Sequence, residues 1–340
     1  TVTGGSTDLR EAELPSGVKV RFTFCEPENY SWNLFLTTGG EAHTGQIISL
    51  IGEFPDAPSE AAIYTRAGLP HIEPELREGA GEIERAGKGQ NPQLISFGDL
   101  RGCLHNHSTW SDGVHTLEEM ALYCRDVLEL EYLGISDHSK SAFYANGLKE
   151  DQIVLQHREI DALNERLAPF RIFKGIESDI LYDGALDYPA GILETFDFVV
   201  ASVHSNLKMN EEKATSRLIT AIENPYTTIL GHSTGRMLLA RSGYPIDHKK
   251  VIDACAANQV VFEMNPNPLR LDMDWRWHQY AIEKGVMLAV NPDAHRREGF
   301  LDMRYGVLVA RKGGVTASDC LNAFTLSRID QYFKDRKKSR

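Results

Sequence analysis

Cysteine is scarce in this chain, and what there is of it forms no pattern. Five cysteines in 340 residues (Cys25, Cys103, Cys124, Cys255, Cys320) are scattered, with no CxxC pair. That spacing excludes a disulfide framework and a thiolate zinc site, so the five read as reduced thiols of a cytoplasmic protein, several of them core fillers. No uncharged apolar run reaches the roughly 18 residues that a membrane helix needs, and no basic-then-apolar leader suggests secretion. Positive charge is also short: 36 Lys and Arg against 48 Asp and Glu leave a net charge of −12. This argues against a broad basic face for nucleic acid. It leaves room for a local cationic site, because bound divalent ions are charges that composition does not count. Residue 1 is threonine rather than methionine, which reads as the start of a fragment or processed chain.

What is present divides into two textures. Residues 1–98 carry a strand-like piece at 18–24, Gly-rich turns and a polar stretch at 77–93 (REGAGEIERAGKGQNPQ) that reads as a linker. No long amphipathic helix stands out there, and the region is expected to be a small α+β unit. From residue 99 the chain alternates. Apolar runs of strand length fall at 102–105, 132–136, 171–176, 196–203, 227–231, 260–264 and 286–290. Helical patterns lie between them at 116–130, 148–167, 211–223, 247–257 and 275–284, the first opened by a Thr116–Glu119 capping box. Strand and helix repeated about seven times predict an α/β fold with a parallel sheet closed into a barrel. The basic end of the chain, 326–340, reads as a solvated tail.

Barrel enzymes carry their chemistry beyond the C-terminal ends of the strands. The first run is followed by His105, His107 and Asp112 (LHNHSTWSDG), the second by Asp137 and His138 (ISDHS), and the third by Glu177 (GIESD). His204 follows the fourth (SVHS), His232 the fifth (GHSTGR), and Asp293 and His295 the seventh (NPDAH). One histidine after a strand is more often a turn residue than a ligand, and Asp112 or Asp137 alone reads as a turn or a cap. The joint pattern is another matter, because six of the twelve histidines and three carboxylates fall at the same places. Alternation along an extended segment points both rings of the HxH pair to one side. Imidazole and carboxylate suit Zn, Mn or Fe. Nine ligands (His105, His107, Asp112, His138, Glu177, His204, His232, Asp293, His295) exceed one ion's needs and suit two or three. Lys140, Arg236, Asn265 and Arg270 lie just past strand ends, where Lys140, Arg236 and Arg270 are candidates to bind a substrate phosphate.

These motifs (HxHSxxSDG, SDH, GIE, SVHS, GHSTGR, MNPNPLRLDMDWRW and PDAH) resemble the PHP (polymerase and histidinol phosphatase) family, over about residues 99–325. The resemblance is strongest to the PHP domain at the C-terminus of bacterial family X DNA polymerases. It implies a distorted (β/α)7 TIM-like barrel with three divalent metal ions (Zn, Mn or Fe) that activate a hydroxide. It also implies 3′–5′ exonuclease and related phosphoesterase activity on DNA 3′ ends. Glu177 becomes the candidate metal bridge, with His204 and Asp293 as the other candidate catalytic residues. Residues 16–43 resemble the end of a polymerase palm, with Arg21 where that family has a catalytic aspartate. An arginine there would repel the cations of a two-metal polymerase site, so no polymerase activity is expected. A phosphatase of small phosphorylated molecules, of the histidinol phosphatase kind, uses the same chemistry and is the alternative. An amidohydrolase barrel is a third reading, weakened by the lack of a lysine at the expected strand end.

Overall fold

The computed structural model describes residues 2–5 and 9–339, and the chain divides into two compact units, Thr1–Pro92 and Gln93–Arg340.

In the first unit, β1 (Val2–Gly5), β2 (Leu9–Glu13) and β3 (Lys19–Thr23) form an antiparallel sheet, Arg10 pairing with Phe22 and Ala12 with Val20. Helices α1 (Tyr30–Thr38), α2 (Glu41–Ile51), α3 (Glu60–Arg66) and α4 (Glu82–Gly87) follow. Trp32, Phe35, Ile47, Ile63, Tyr64 and Ile72 make its core. The expected linker at 77–93 is instead partly folded into this unit. Arg77 is fully buried and donates to the Ile72 carbonyl (2.9 Å) and Glu60 (2.5 Å). Glu82, equally buried, sits 2.7 Å from His43 Nδ1. Gly and charge in sequence marked turns and buried ion pairs here, not a tether.

In the second unit seven strands lie parallel in sequence order: β4 (Gly102–Cys103), β5 (Tyr132–Ile135), β6 (Arg171–Asp179), β7 (Phe198–Ser202), β8 (Ile229–Leu230), β9 (Val261–Met264) and β10 (Leu288–Val290). Around them pack α5 (Leu117–Asp126), α6 (Glu150–Leu167), α7 (Ala190–Leu193), α8 (Glu211–Ile222), α9 (His248–Asn258), α10 (His278–Glu283), α11 (Met303–Lys312) and α12 (Leu326–Lys338). The sheet is nearly closed into a barrel, as expected. Its seam has no strand ladder and is held by side chains together with an isolated backbone bridge, Asn106 to Ala294. Buried Asn322 donates to the carbonyls of Gly102 (3.0 Å) and Val290 (3.0 Å) and accepts from Val290 N (2.7 Å), while Asn291 accepts from Leu104 N (3.1 Å).

Local chemistry accounts for the element ends. The Thr116–Glu119 capping box starts α5, with Glu119 N donating to Thr116 Oγ1 (3.2 Å) and Thr116 N to Glu119 (2.9 Å). The helix stops at Asp126, short of the expected residue 130, and Glu129 turns left-handed at φ 54°. Helix α11 is absent from the sequence expectation because Gly306 sits in its middle. A Cβ there would lie 2.5 Å from Val290, so glycine lets the helix press against β10.

The 326–340 segment is not a solvated tail. It forms α12, whose Ile329 and Phe333 are buried with Tyr132, Phe173 and Phe198 at the end where the strands begin. Arg336 donates to the carbonyls of Thr227 (2.6 Å) and Gln259 (2.5 Å), and Lys337 pairs with Asp197 (3.0 Å). The apolar face of α12 thus closes the barrel's floor and its basic side chains tie it down, leaving the other end for chemistry.

Candidate metal centre

Every expected ligand but Glu177, which lies inside β6, follows a strand, and the strand geometry decides where each points. His105 and His107 extend β4 with ring centroids 5.5 Å apart. His107 N donates to the Ala294 carbonyl (2.9 Å), which ties this segment to the Asp293–His295 turn. Glu177 and Asp179 sit two residues apart in β6, so alternation places them on one side. Asp293 holds φ at 53°, a left-handed conformation that aspartate tolerates better than most residues and that recurs at functional sites.

All nine side chains converge. Their donor atoms form four overlapping groups, each compact enough to hold a metal ion: His107, Asp112, His138 and His295; His105, His107 and Asp293; His105, Glu177 and His232; and His138, Glu177 and His204. Glu177 is the hub and is completely buried. Its Oε1 lies 3.1 Å from His105, 3.2 Å from His204 and 3.0 Å from His232, and its Oε2 is 2.9 Å from His138. Asp112, at 31% side-chain exposure, and His295, at 36%, form the rim.

The donor set fits metal ions for a reason beyond proximity. His105 donates from Nδ1 to Glu263 (2.6 Å), so its Nε2 turns a lone pair toward Glu177 and Asp293 without a hydrogen bond. Neither nitrogen of His107 is hydrogen-bonded, nor is Glu177 Oε2, although all are buried. Buried polar atoms left this way are costly unless something binds them. A cation between imidazole and carboxylate is what such an arrangement accommodates.

The acids and imidazoles of the cluster also set one another's affinity for protons, for which a cation would compete. Burial would depress His105, yet Glu263, Glu177 and Asp293 hold it well above the ordinary histidine value. Burial opposes the charge on His204 too, but Glu177 and Asp179 lift it to about 10. His107 is pushed the other way, to about 3, by burial and by the neighbouring His295 and His138. Burial would raise Glu177 and Asp293; the imidazoles around them keep both well below the usual carboxylate range.

Two acids act on the ligands without having been expected among them. Glu263 fixes His105 and also accepts from His232 N (3.0 Å). Asp179 accepts from His204 Nδ1 (2.5 Å). Such carboxylates set the tautomer and orientation of a ligating imidazole. A signal for Glu263 was available, since a charge inside the apolar run VVFEM needs a partner. Asp137 is no ligand in this geometry. It accepts from Ser108 N (2.7 Å), Ser111 Oγ (2.6 Å) and Gln156 Nε2 (2.7 Å), which binds the loop after β4 to the end of β5.

The expected phosphate-binding residues separate. Arg270 reaches the cluster, its Nε 3.6 Å from Asp293 Oδ2. Arg236 instead donates to the carbonyls of Arg270 (2.7 Å) and Leu271, so it supports the loop that carries Arg270. Lys140 pairs with Glu150 at 2.6 Å. Asn265 is buried, with its amide 3.3 Å from Glu263 and 3.4 Å from Asp293.

No family model matches the chain. Among known proteins, a DNA polymerase/3′-5′ exonuclease PolX of Bacillus subtilis (strain 168) is 41% identical over 283 residues, 83% of this chain and 49% of that protein. The chain therefore spans about half the length of that relative. A probable phosphatase of Thermoanaerobacter sp. (strain X514) is 30% identical over 189 residues, 53% of this chain and 74% of that one. Among solved structures, a histidinol phosphate phosphatase from Lactococcus lactis complexed with zinc, L-histidinol and phosphate matches with TM-score 0.47 at 14% identity, over 63% of this chain and 94% of that one. The chain belongs to the PHP family, and with this cluster of metal-ligating side chains it is a metal-dependent hydrolase of the phosphoesterase class. No helix among the described residues is long and apolar enough to cross a membrane.

Proposed function

We propose that this protein removes nucleotides from DNA 3′ ends in the 3′–5′ direction, using three divalent ions (Zn, Mn or Fe) held by the nine converging side chains. The observation that carries the proposal is the overlap of the four ligand groups. His105, His107, His138 and Glu177 each belong to two of them; each imidazole would serve one ion, whereas the carboxylate of Glu177 could serve two. When bound, such ions supply Lewis acidity and lower the pKa of a water molecule. The chain does the rest. Glu177 would be the carboxylate shared between ions, Asp179 and Glu263 hold His204 and His105 in register, and Arg270 would meet a phosphate oxygen. The acids number five rather than the expected three, once Glu263 and Asp179 are included, so the pocket is less positive than the ligands alone imply.

DNA is favoured by the extent of similarity to the PolX relative. Its 283 matched residues exceed the second unit, so the match runs into the first unit as well. We read that first unit as a degenerate palm remnant. Its Arg21, on β3, stands where the palm has a catalytic aspartate and pairs with Glu11 at 2.9 Å. The unbridged state of all five cysteines supports a cytoplasmic setting.

The second reading, a phosphatase of small phosphomonoesters, is favoured by the relatives described as probable phosphatases and by the net charge of −12. A panel of p-nitrophenyl phosphate, histidinol phosphate, 3′-phosphate DNA and single-stranded DNA, each with Mn, Zn or Fe, decides between them. Mononucleotide release from DNA is expected to dominate. A monoester hydrolysed orders of magnitude faster than any DNA end would establish the second reading instead. Primer extension with dNTPs should be undetectable with either Mg or Mn.

A further inference from the structure

The two most exposed aromatic side chains among the described residues are consecutive, and they stand beside the metal centre. Phe143 is 86% exposed and Tyr144 70%. They occupy one turn of 3-10 helix, Phe143–Ala145, that begins five residues after His138. The Tyr144 ring lies 6.2 Å from the His138 ring, centroid to centroid.

This loop is no loose tip. Ala142 and Ala145 are fully buried on either side of the pair, so small residues pack inward and the two rings are turned out. Ala145 N donates to the Ala142 carbonyl (3.0 Å), Gly147 N to the same carbonyl (3.1 Å) and Leu148 N to the His138 carbonyl (2.8 Å). Ser141 N donates to Asp187 (2.6 Å), and Tyr188 donates to the Leu148 carbonyl (2.5 Å). A rigid turn that holds two aromatic rings in water spends apolar surface without any return in packing. Phe143 also lines an open cleft of about 840 Å³ with Lys140, Asn146 and Lys149.

Resting on the DNA-end reading above, we propose that Phe143 and Tyr144 form a shelf on which the unpaired 3′-terminal base of a DNA strand stacks while its phosphate sits at the metal centre and Arg270. Base–aromatic stacking is sequence-tolerant, because every base offers a flat face. It also adds affinity without basic residues, which suits a protein of net charge −12. A pre-ordered shelf loses little freedom on binding. The pair thus separates nucleotide ends from base-free phosphate esters that the same metal chemistry would attack.

The test compares wild type with the Phe143→Ala/Tyr144→Ala double variant on two oligonucleotides, one with a normal 3′ end and one with an abasic 3′-terminal sugar. The double variant should lose about ten-fold more in kcat/KM on the normal end than on the abasic end, mostly through KM, at unchanged metal content; ten-fold is within the range of one base–aromatic stack. Tyr144→Phe, which keeps the ring, should retain most of that discrimination. An equal loss on both ends, or no loss, overturns the shelf. A separate readout survives failure of the nuclease reading: quenching of an oligonucleotide ending in 2-aminopurine reports stacking without hydrolysis. Quenching by wild type that the double variant lacks supports the shelf even if no nucleotide is released, and equal fluorescence with both proteins overturns it.

Discussion

Both units bury ionisable side chains, but they use them in opposite ways. In the first, His43 is completely buried and both ring nitrogens are engaged, Nδ1 with Glu82 (2.7 Å) and Nε2 with Tyr64 (2.8 Å). Arg77 likewise spends its guanidinium on Ile72, Thr38, Glu60 and His71. In the second unit the imidazoles of His105 and His107 are just as buried, yet three of their four nitrogens have no hydrogen bond. Partnered burial reads as architecture. Burial with donor atoms left over, aimed at one another across a small space, reads as a ligand site.

Removing the hub should give the largest effect. Glu177→Ala is expected to lower turnover by roughly 10³-fold or more, the scale of losing a principal electrostatic stabiliser, and to lose more than one metal equivalent by elemental analysis. Loss of a single ion would make Glu177 a terminal ligand and weaken the comparison.

The next effect concerns the acids behind the ligands. Glu263→Gln and Asp179→Asn should each reduce metal affinity or turnover by roughly 10–100-fold, because they orient His105 and His204. Metal titration followed by turnover at saturating metal separates weakened binding from impaired chemistry. Wild-type behaviour in both assays would mean that these hydrogen bonds are incidental.

The smallest effect on turnover, and the sharpest contrast, should come from the first unit. Glu82→Ala leaves His43 and Gly79 N without their buried acceptor and should cost about 3 kcal/mol of stability, the scale of breaking a buried pair, while hydrolysis stays near wild type. Burial would raise Glu82, but its hydrogen bond from His43 holds it below the ordinary glutamate value. A depressed carboxylate contributes fully above its unfolded pKa, about 4.3, and that contribution is lost as pH falls through the lower folded value. Acid unfolding followed by circular dichroism should therefore show a step below about pH 4.3 that flattens in Glu82→Gln. A large loss of turnover at neutral pH would erase the distinction between the two units.

Much of the metal centre could be read before folding, and the reason is local. A ligand placed just past a strand inherits its position from the strand, and seven such strands in parallel bring their ends to one rim. The pairing of donors obeys no such local rule. Arg236 and Arg270 look alike in sequence, and only the contact of Arg236 with the carbonyls of 270 and 271 shows which one faces the site. Helix α11 was hidden because Gly306 weakens the pattern while serving a close approach to Val290 and Pro266. The first unit's helices were hidden because their stretches are short and their polar residues are buried in pairs.

By itself, then, the sequence determined the alternation of strand and helix, the nine side chains at the strand ends and the chemistry those residue types favour. All follow from periodicity and from neighbours along the chain. Tertiary structure alone decided that Glu263 and Asp179 stand behind the ligands, that Asn322 closes the seam and that the basic C-terminal segment becomes the barrel's floor. Those outcomes depend on contacts between residues as far apart as Gly102 and Asn322, where burial makes each polar atom find a partner that no local pattern names.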